Sequence, residues 1–326
     1  MLSYQSGIRF KLSLTNCYQN QFIAINLLIK YMKYFIIISL FLLPGFAFSQ
    51  TAIDTLLKHY KVYNTHTKKI VPLNDIVASM PNTDVLFFGE EHNDPTGHQL
   101  EYMLLSRLND KYPDNLVLSM EMFETDCQNV LNEYLRDLIS EKHFETDARV
   151  WPNYADYSPI VEFAKSNMIP MIAANAPSRY VNMVNRLGLG SLQNLDATGK
   201  ALLPPLPIDT LTGRYLAKFD TVMGGHASMP GMQMYQAQNL WDATMGWSIV
   251  TYLRKNPGSK IFQINGGFHS EEKLGAVAHL MHYAPNVHIL NIAVYSDDSF
   301  DNPDWSKFVQ MGDFIILTDP KLPRTF

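Results

Sequence analysis

Val85-Leu86-Phe87-Phe88-Gly89-Glu90-Glu91-His92 is the stretch that decides the fold. Four apolar residues in a row, with no polar alternation, read as a strand covered on both faces, as in a parallel sheet between helices. The pattern returns at Ile261-Phe262-Gln263-Ile264-Asn265-Gly266-Gly267-Phe268-His269. Each apolar run ends in Gly-x-x-His. In an open parallel sheet the carboxyl ends of the strands line one crevice, and ligand sites form there. A glycine at that point lets the backbone turn sharply as it leaves the sheet. Taken alone, each loop is an ordinary strand-to-helix connection. Together they bring two histidines to one edge, with Glu90 and Glu91 beside the first. That donor set suits a metal ion, a haem or acid–base chemistry.

The segments around these two follow the same alternation. Further strands are predicted over 116–120, 170–174, 287–294 and 314–317, with helices over 97–110, 126–139, 158–167, 234–255 and 271–283. Residues 50–80 read as two short helices, or a helix and a hairpin, capping the sheet. The class is α/β, with a mostly parallel central sheet flanked by helices. The alternation breaks over about 188–232, which is rich in glycine, proline and methionine. We read it as a helical insertion over the carboxyl edge of the sheet. Its methionines suit an adaptable apolar surface or core filling.

Several polar residues are poorly placed unless they meet something. Glu121 follows directly on an apolar strand, and a carboxylate buried alone is costly. Asp242 lies on the apolar side of the predicted 234–255 helix and needs a partner. Arg179 falls in the first turn of a helix, against the dipole, which points to an anionic neighbour. The aromatic run Trp151-Pro152-Asn153-Tyr154-Ala155-Asp156-Tyr157 reads as a loop walling a pocket or filling space beneath it.

Composition bounds the function. The 326 residues are 47% hydrophobic and 17% charged, which is globular. Met32-Lys33, the apolar run over 34–43, Pro44-Gly45 and Ala47-Phe48-Ser49 match a secretory signal peptide, with cleavage expected after Ser49. Residues 1–31 then precede the expected start at Met32, as untranslated sequence or leader. The remaining 50–326 is expected to form one α/β domain carrying 22 basic and 31 acidic residues, net −9. That balance gives no electrostatic footprint for nucleic acid. Only Cys17 and Cys127 are present. After cleavage no disulfide, zinc-thiolate site or lipid-anchor cysteine is available. The expectation is an exported protein, periplasmic or associated with the envelope.

Read in order, Gly89-Glu90-Glu91-His92, Glu121-Met122-Phe123-Glu124, Ala174-Asn175-Ala176-Pro177 with Arg179, Gln238 with Trp241-Asp242 and Met245, and Gly267-x-His269 resemble one family. It is that of the ChaN-like haem-binding, iron-regulated proteins, which share a superfamily with Tiki-type metalloproteases and erythromycin esterase-like proteins. The resemblance runs from about Val85 to Val294. It implies an α/β fold and a role in haem or iron handling at the cell envelope. It also implies a tyrosine ligand to haem iron and two haems stacked between the protomers of a dimer, with a partner histidine assisting. The candidates for those roles are Tyr235 and His226, with Tyr154 as second choice. The missing anchor cysteine departs from the lipoprotein members of the family and leaves membrane association without that means. The resemblance to Tiki-type enzymes implies an alternative, a hydrolase using a divalent metal ion. There His92, His269, Glu90, Glu121 and Asp242 are the metal donors, and Glu90, His92, Glu121, Arg179 and His269 the catalytic set.

Overall fold

The computed structural model describes residues 56–224 and 231–326. The expected leader over 1–49 and His226 therefore lie outside the described residues. From His59 onward the chain packs as one unit.

The elements run β1 (Tyr60–Asn64), β2 (Lys69–Val71), α1 (Asn74–Ala78), β3 (Val85–Glu90), α2 (Pro95–Lys111) and β4 (Leu116–Glu124). There follow α3 (Gln128–Leu135), α4 (Glu141–Asp147), α5 (Tyr154–Ser166), β5 (Met171–Asn175), α6 (Ser178–Leu187), the one-turn α7 (Ala197–Lys200) and α8 (Arg214–Val222). The chain closes with α9 (Met234–Lys255), β6 (Lys260–Gly266), α10 (Gly275–Tyr283), β7 (Ile289–Ser296) and β8 (Phe314–Thr318).

The eight strands form one sheet in the order β2-β1-β8-β7-β3-β6-β4-β5. The six from β8 to β5 are parallel, and β1 and β2 extend the β8 edge antiparallel. The class is thus the mostly parallel α/β sheet read from the apolar runs. β3 is buried along its whole length, as a run without polar alternation requires. One of its faces, Val85 and Phe87, packs with Val117, Ile172, Ile261 and the helix residues Met245, Ile249 and Leu280. Helices α9 and α10 meet closely there. A Cβ on Gly246 would lie 2.8 Å from the Leu280 nitrogen and 3.0 Å from the Ala276 carbonyl, so only glycine permits that approach.

Several boundaries differ from expectation for local reasons. The predicted helix over 126–139 is the shorter α3, which ends at Leu135 just before Asp137 at φ 59°, and α4 follows beyond the predicted range. α5 begins four residues earlier than the Ser158-Pro159 signal, at Tyr154. Pro159 has no N–H for the Ala155 carbonyl, and Ser158 Oγ donates to that carbonyl instead at 3.3 Å. The helix expected from 271 starts at Gly275, because Glu272 and Lys273 adopt left-handed conformations at φ 58° and 55°. Residues 50–80 supply the β1–β2 hairpin and α1. Between Gly188 and Gly224 the described chain contains helices and loops but no strand.

Candidate functional site

The strand order explains the site. β6 enters the sheet between β3 and β4, so the two Gly-x-x-His loops leave adjacent strands. Glu90 is in register with Gly266. Glu121, expected just past the strand, lies within β4, where the register with β5 shifts between Met120 and Glu124. Its Oε2 accepts the Gly266 N–H at 2.7 Å. A Cβ on Gly266 would sit 2.6 Å from His92 Nε2 and 3.6 Å from Glu121 Oε2. His269 Nε2 lies 3.4 Å from Glu121 Oε1. The two histidines thus meet around Glu121, over a backbone with no side chain.

Each imidazole is held from behind by a second carboxylate. His92 Nδ1 donates to Glu90 Oε1 at 2.8 Å, and the Tyr157 hydroxyl donates to the same oxygen at 2.8 Å. A carboxylate only accepts, so Nδ1 carries hydrogen and Nε2 faces the cleft. The His92 side chain remains 37% exposed, enough for a ligand to reach it. Burial opposes charge here, yet the Glu90 bond and the Glu121 charge raise the His92 pKa above its ordinary value. Glu90 is fully buried, which favours the neutral acid. Its bonds to His92 and His98 overcome that and lower its pKa.

His269 is enclosed more completely. Its Nδ1 donates to Asp242 Oδ1 at 2.7 Å, and the Tyr215 hydroxyl donates to Asp242 Oδ2. Gln238 Nε2 lies 3.2 Å from the Tyr215 hydroxyl and 3.1 Å from His269 Nδ1. Trp241 meets the imidazole edge-on, with ring centroids 6.4 Å apart. Burial would lower the His269 pKa, but the Glu121 and Asp242 carboxylates raise it to about 10. Burial raises and the His269 charge lowers Glu121, with a net downward shift. At neutral pH the two carboxylates therefore favour the imidazolium form of His269.

The five residues expected to bind one ion fall into a pair, Glu90–His92, and a triad, Asp242–His269–Glu121. Among the described residues, one group of three or more donors has metal-like spacing: Glu90, His98 and Glu101, within 4.8 Å of one another. Neither His98, which lies on one stripe of the predicted 97–110 helix with Tyr102 and Leu105, nor Glu101 is read as a site residue from the sequence. Their signal was a histidine and a glutamate at i and i+3 on the buried face of the helix after the first Gly-x-x-His. Tyr157, part of the aromatic run, also proves to be a Glu90 partner. Lys218 is a further buried polar residue that the sequence did not flag. Its Nζ pairs with Glu271 at 2.7 Å, next to Phe268.

Other expected site residues stand apart. Arg179 does not reach Glu121. It pairs with Asp126, which Arg149 also contacts, on a half-exposed surface. The anion inferred from its position is thus Asp126, presented by the short turn at Thr125–Cys127. Tyr154 is buried against Phe144, and its hydroxyl meets no hydrogen-bond partner. Tyr235 donates to the Leu211 carbonyl at 2.5 Å, and burial raises its pKa to about 12. Next to it, α6, α8 and α9 enclose a partly open cavity of about 410 Å³. Val181, Phe219, Met223, Met234 and Trp241 make its wall mostly apolar, and Gln238 joins it to His269.

Known proteins share parts of this chain. Protein RETICULATA-RELATED 5, chloroplastic, from Arabidopsis thaliana is 23% identical over 139 residues, 40% of this chain. The chain spans about a fifth of that curated relative, 19% of its length. Among solved structures, ChaN of Campylobacter jejuni, described with cofacial heme binding, superposes with a TM-score of 0.62 at 16% identity, covering 80% of this chain and 98% of its own. That likeness establishes a shared fold. A mutant of the erythromycin esterase EreC in its open conformation matches at a TM-score of 0.42 and 11% identity, covering 72% of this chain and 76% of its own, too loose to argue from. The model of the family described as haem-binding uptake, Tiki superfamily, ChaN matches residues 76–280, and the chain belongs to that family.

Proposed function

We propose that this is an exported haem-binding protein that handles haem or iron at the cell envelope, with the porphyrin in the cavity between α6, α8 and α9. The cavity carries the reading. A porphyrin face needs apolar, deformable walls, and Phe219, Met223, Met234 and Trp241 supply them. Tyr235 does not itself line the cavity, but it directly follows the lining residue Met234 and packs on the lining residue Phe219 with ring centroids 5.1 Å apart. Phenolate is an established axial ligand of ferric haem. Tyr235 would serve after giving up the Leu211 carbonyl. Tyr154 lacks this setting, since its neighbours belong to α4 and α5. Bound haem would supply the iron chemistry. The protein's own residues would bind it, exclude water and set its ligand.

Two further parts of the proposal rest on separate observations. Export rests on the signal-peptide pattern over 32–49. A homodimer on haem loading is favoured by Leu187, Leu216, Val222 and Met232, exposed apolar residues on or beside the helices that form the cavity. The hydrolase alternative is the weaker one, because among the described residues His92, His269, Glu121 and Asp242 do not gather with metal-like spacing.

Hemin titration of the full chain tests the proposal. A shifted Soret peak with a phenolate charge-transfer band is expected, and the band should vanish in Tyr235→Phe. An unchanged spectrum, or a Tyr235→Phe variant indistinguishable from the parent, would dispose of it.

A further inference from the structure

Glu90, His98 and Glu101 form a cluster that haem binding does not use. Their side chains are 0%, 6% and 1% exposed. Glu90 ends β3, and His98 and Glu101 lie one turn apart on α2. The backbone fixes the His98 ring: its Nε2 is 3.2 Å from the His92 carbonyl, which only accepts, so Nε2 carries hydrogen. In the neutral ring, Nδ1 then presents a lone pair to two carboxylate oxygens. Glu90 Oε2 is 3.1 Å away and Glu101 Oε2 3.4 Å. Burial lowers the His98 pKa, but Glu101 and Glu90 raise it to about 11, so the three groups are joined either by a proton on Nδ1 or by a metal ion that replaces it.

Two further observations bear on which cation. Glu101 Oε1 is buried with no hydrogen-bond partner, and Glu90 Oε2 faces only His98 Nδ1, which is costly for carboxylate oxygens. The 3.1 and 3.4 Å separations match those of adjacent ligands around an ion with bonds of about 2.0–2.2 Å. Two carboxylates also balance a divalent charge. We propose that Glu90, His98 and Glu101 bind a divalent first-row metal ion such as zinc or manganese. Carboxylate oxygen with imidazole suits those ions. The outer contacts agree with it. The His98 N–H donates to a backbone carbonyl, and the Tyr157 and His92 donors hold the other oxygen of Glu90, as partners of metal ligands commonly do.

The competing occupant is the proton. Burial and the Glu90 charge raise the Glu101 pKa well above the ordinary range, so a protonated carboxyl beside an imidazolium is the rival arrangement. Zinc retention separates the two. The full chain is loaded with Zn²⁺ at neutral pH, freed of excess by gel filtration and analysed for metal. One equivalent is expected in the parent and in His269→Gln. At least about tenfold less is expected in His98→Gln and Glu101→Gln. Glu101→Gln mimics the protonated carboxyl and so is expected to fold, and added Zn²⁺ should raise the Tm of the parent and of His269→Gln but not of the two cluster variants. Zinc retained by both cluster variants, or lost in His269→Gln, would overturn the site. So would a parent that holds none while Glu101→Gln is equally or more stable, which assigns the cluster to shared protons. Hemin binding followed in the same samples is independent of these outcomes.

Discussion

Asp242→Asn probes the enclosure of His269 directly. Asp242 is completely buried and accepts from His269 Nδ1 at 2.7 Å and from the Tyr215 hydroxyl. The His269 pKa rises from 6.5 to about 10 through Glu121 and Asp242. At about 1.4 kcal/mol per pH unit, that is about 5 kcal/mol of interaction with the imidazolium, shared between two carboxylates. Removing one charge takes away roughly half, about 2–3 kcal/mol. Asparagine also has one acceptor where two donors point, which adds about 1–3 kcal/mol for the donor left unmet. The expected loss at pH 7 is therefore about 3–6 kcal/mol, which spans the range usual for breaking a buried pair. Its pH dependence has a definite sign. The folded pKa lies above the unfolded one, so the His269 contribution is complete below pH 6.5 and disappears as pH rises through about 10. The gap between parent and variant should therefore narrow by about 2–3 kcal/mol from pH 6.5 to above 10. Urea denaturation followed by tryptophan fluorescence reads both quantities. A loss below about 1 kcal/mol at pH 7, or a gap that widens with pH, would refute the reasoning.

Two other changes test the His92 side. Gly266→Ala meets no backbone penalty at φ −55°, ψ 137°, but its methyl would lie 2.6 Å from His92 Nε2. The half-buried ring should swing away from Glu90, costing about 1–3 kcal/mol and returning its pKa toward 6.5 in an NMR titration; an unmoved titration would contradict this contact. Tyr157→Phe removes a donor to Glu90 Oε1 from a fully buried position and should cost about 1–3 kcal/mol in urea denaturation. A loss within about 0.5 kcal/mol would show that the bond contributes little.

The parallel core was legible because runs such as Val85–Phe88 and Ile261–Ile264 carry no polar alternation, and burial on both faces leaves that trace. That the loops after them adjoin was a weaker reading. It depends on β6 entering between β3 and β4, a matter of chain order that no local pattern records. Glu121 and Asp242 could be singled out because an acid within an apolar pattern needs a partner, though not which partner. Arg179 shows the limit of the same logic: its helix position asked for an anion, and Asp126, across a short turn, met the need before any site residue could. His98 and Glu101 were missed since a charged pair at i and i+3 on a helix ordinarily faces solvent. Tyr235 could be placed near the insertion, but the direction of its hydroxyl depends on helix rotation and on the loop at Leu211, which no spacing fixes.

The central claim is that haem sits between α6, α8 and α9 with Tyr235 on its iron. Crystals of the hemin-loaded protein, with data collected at the iron edge, address it directly. The account predicts one anomalous peak per chain beside the wall of Phe219, Met223 and Trp241, within bonding distance of the Tyr235 oxygen. Iron bound at His92, or on a surface away from those three helices, would contradict it.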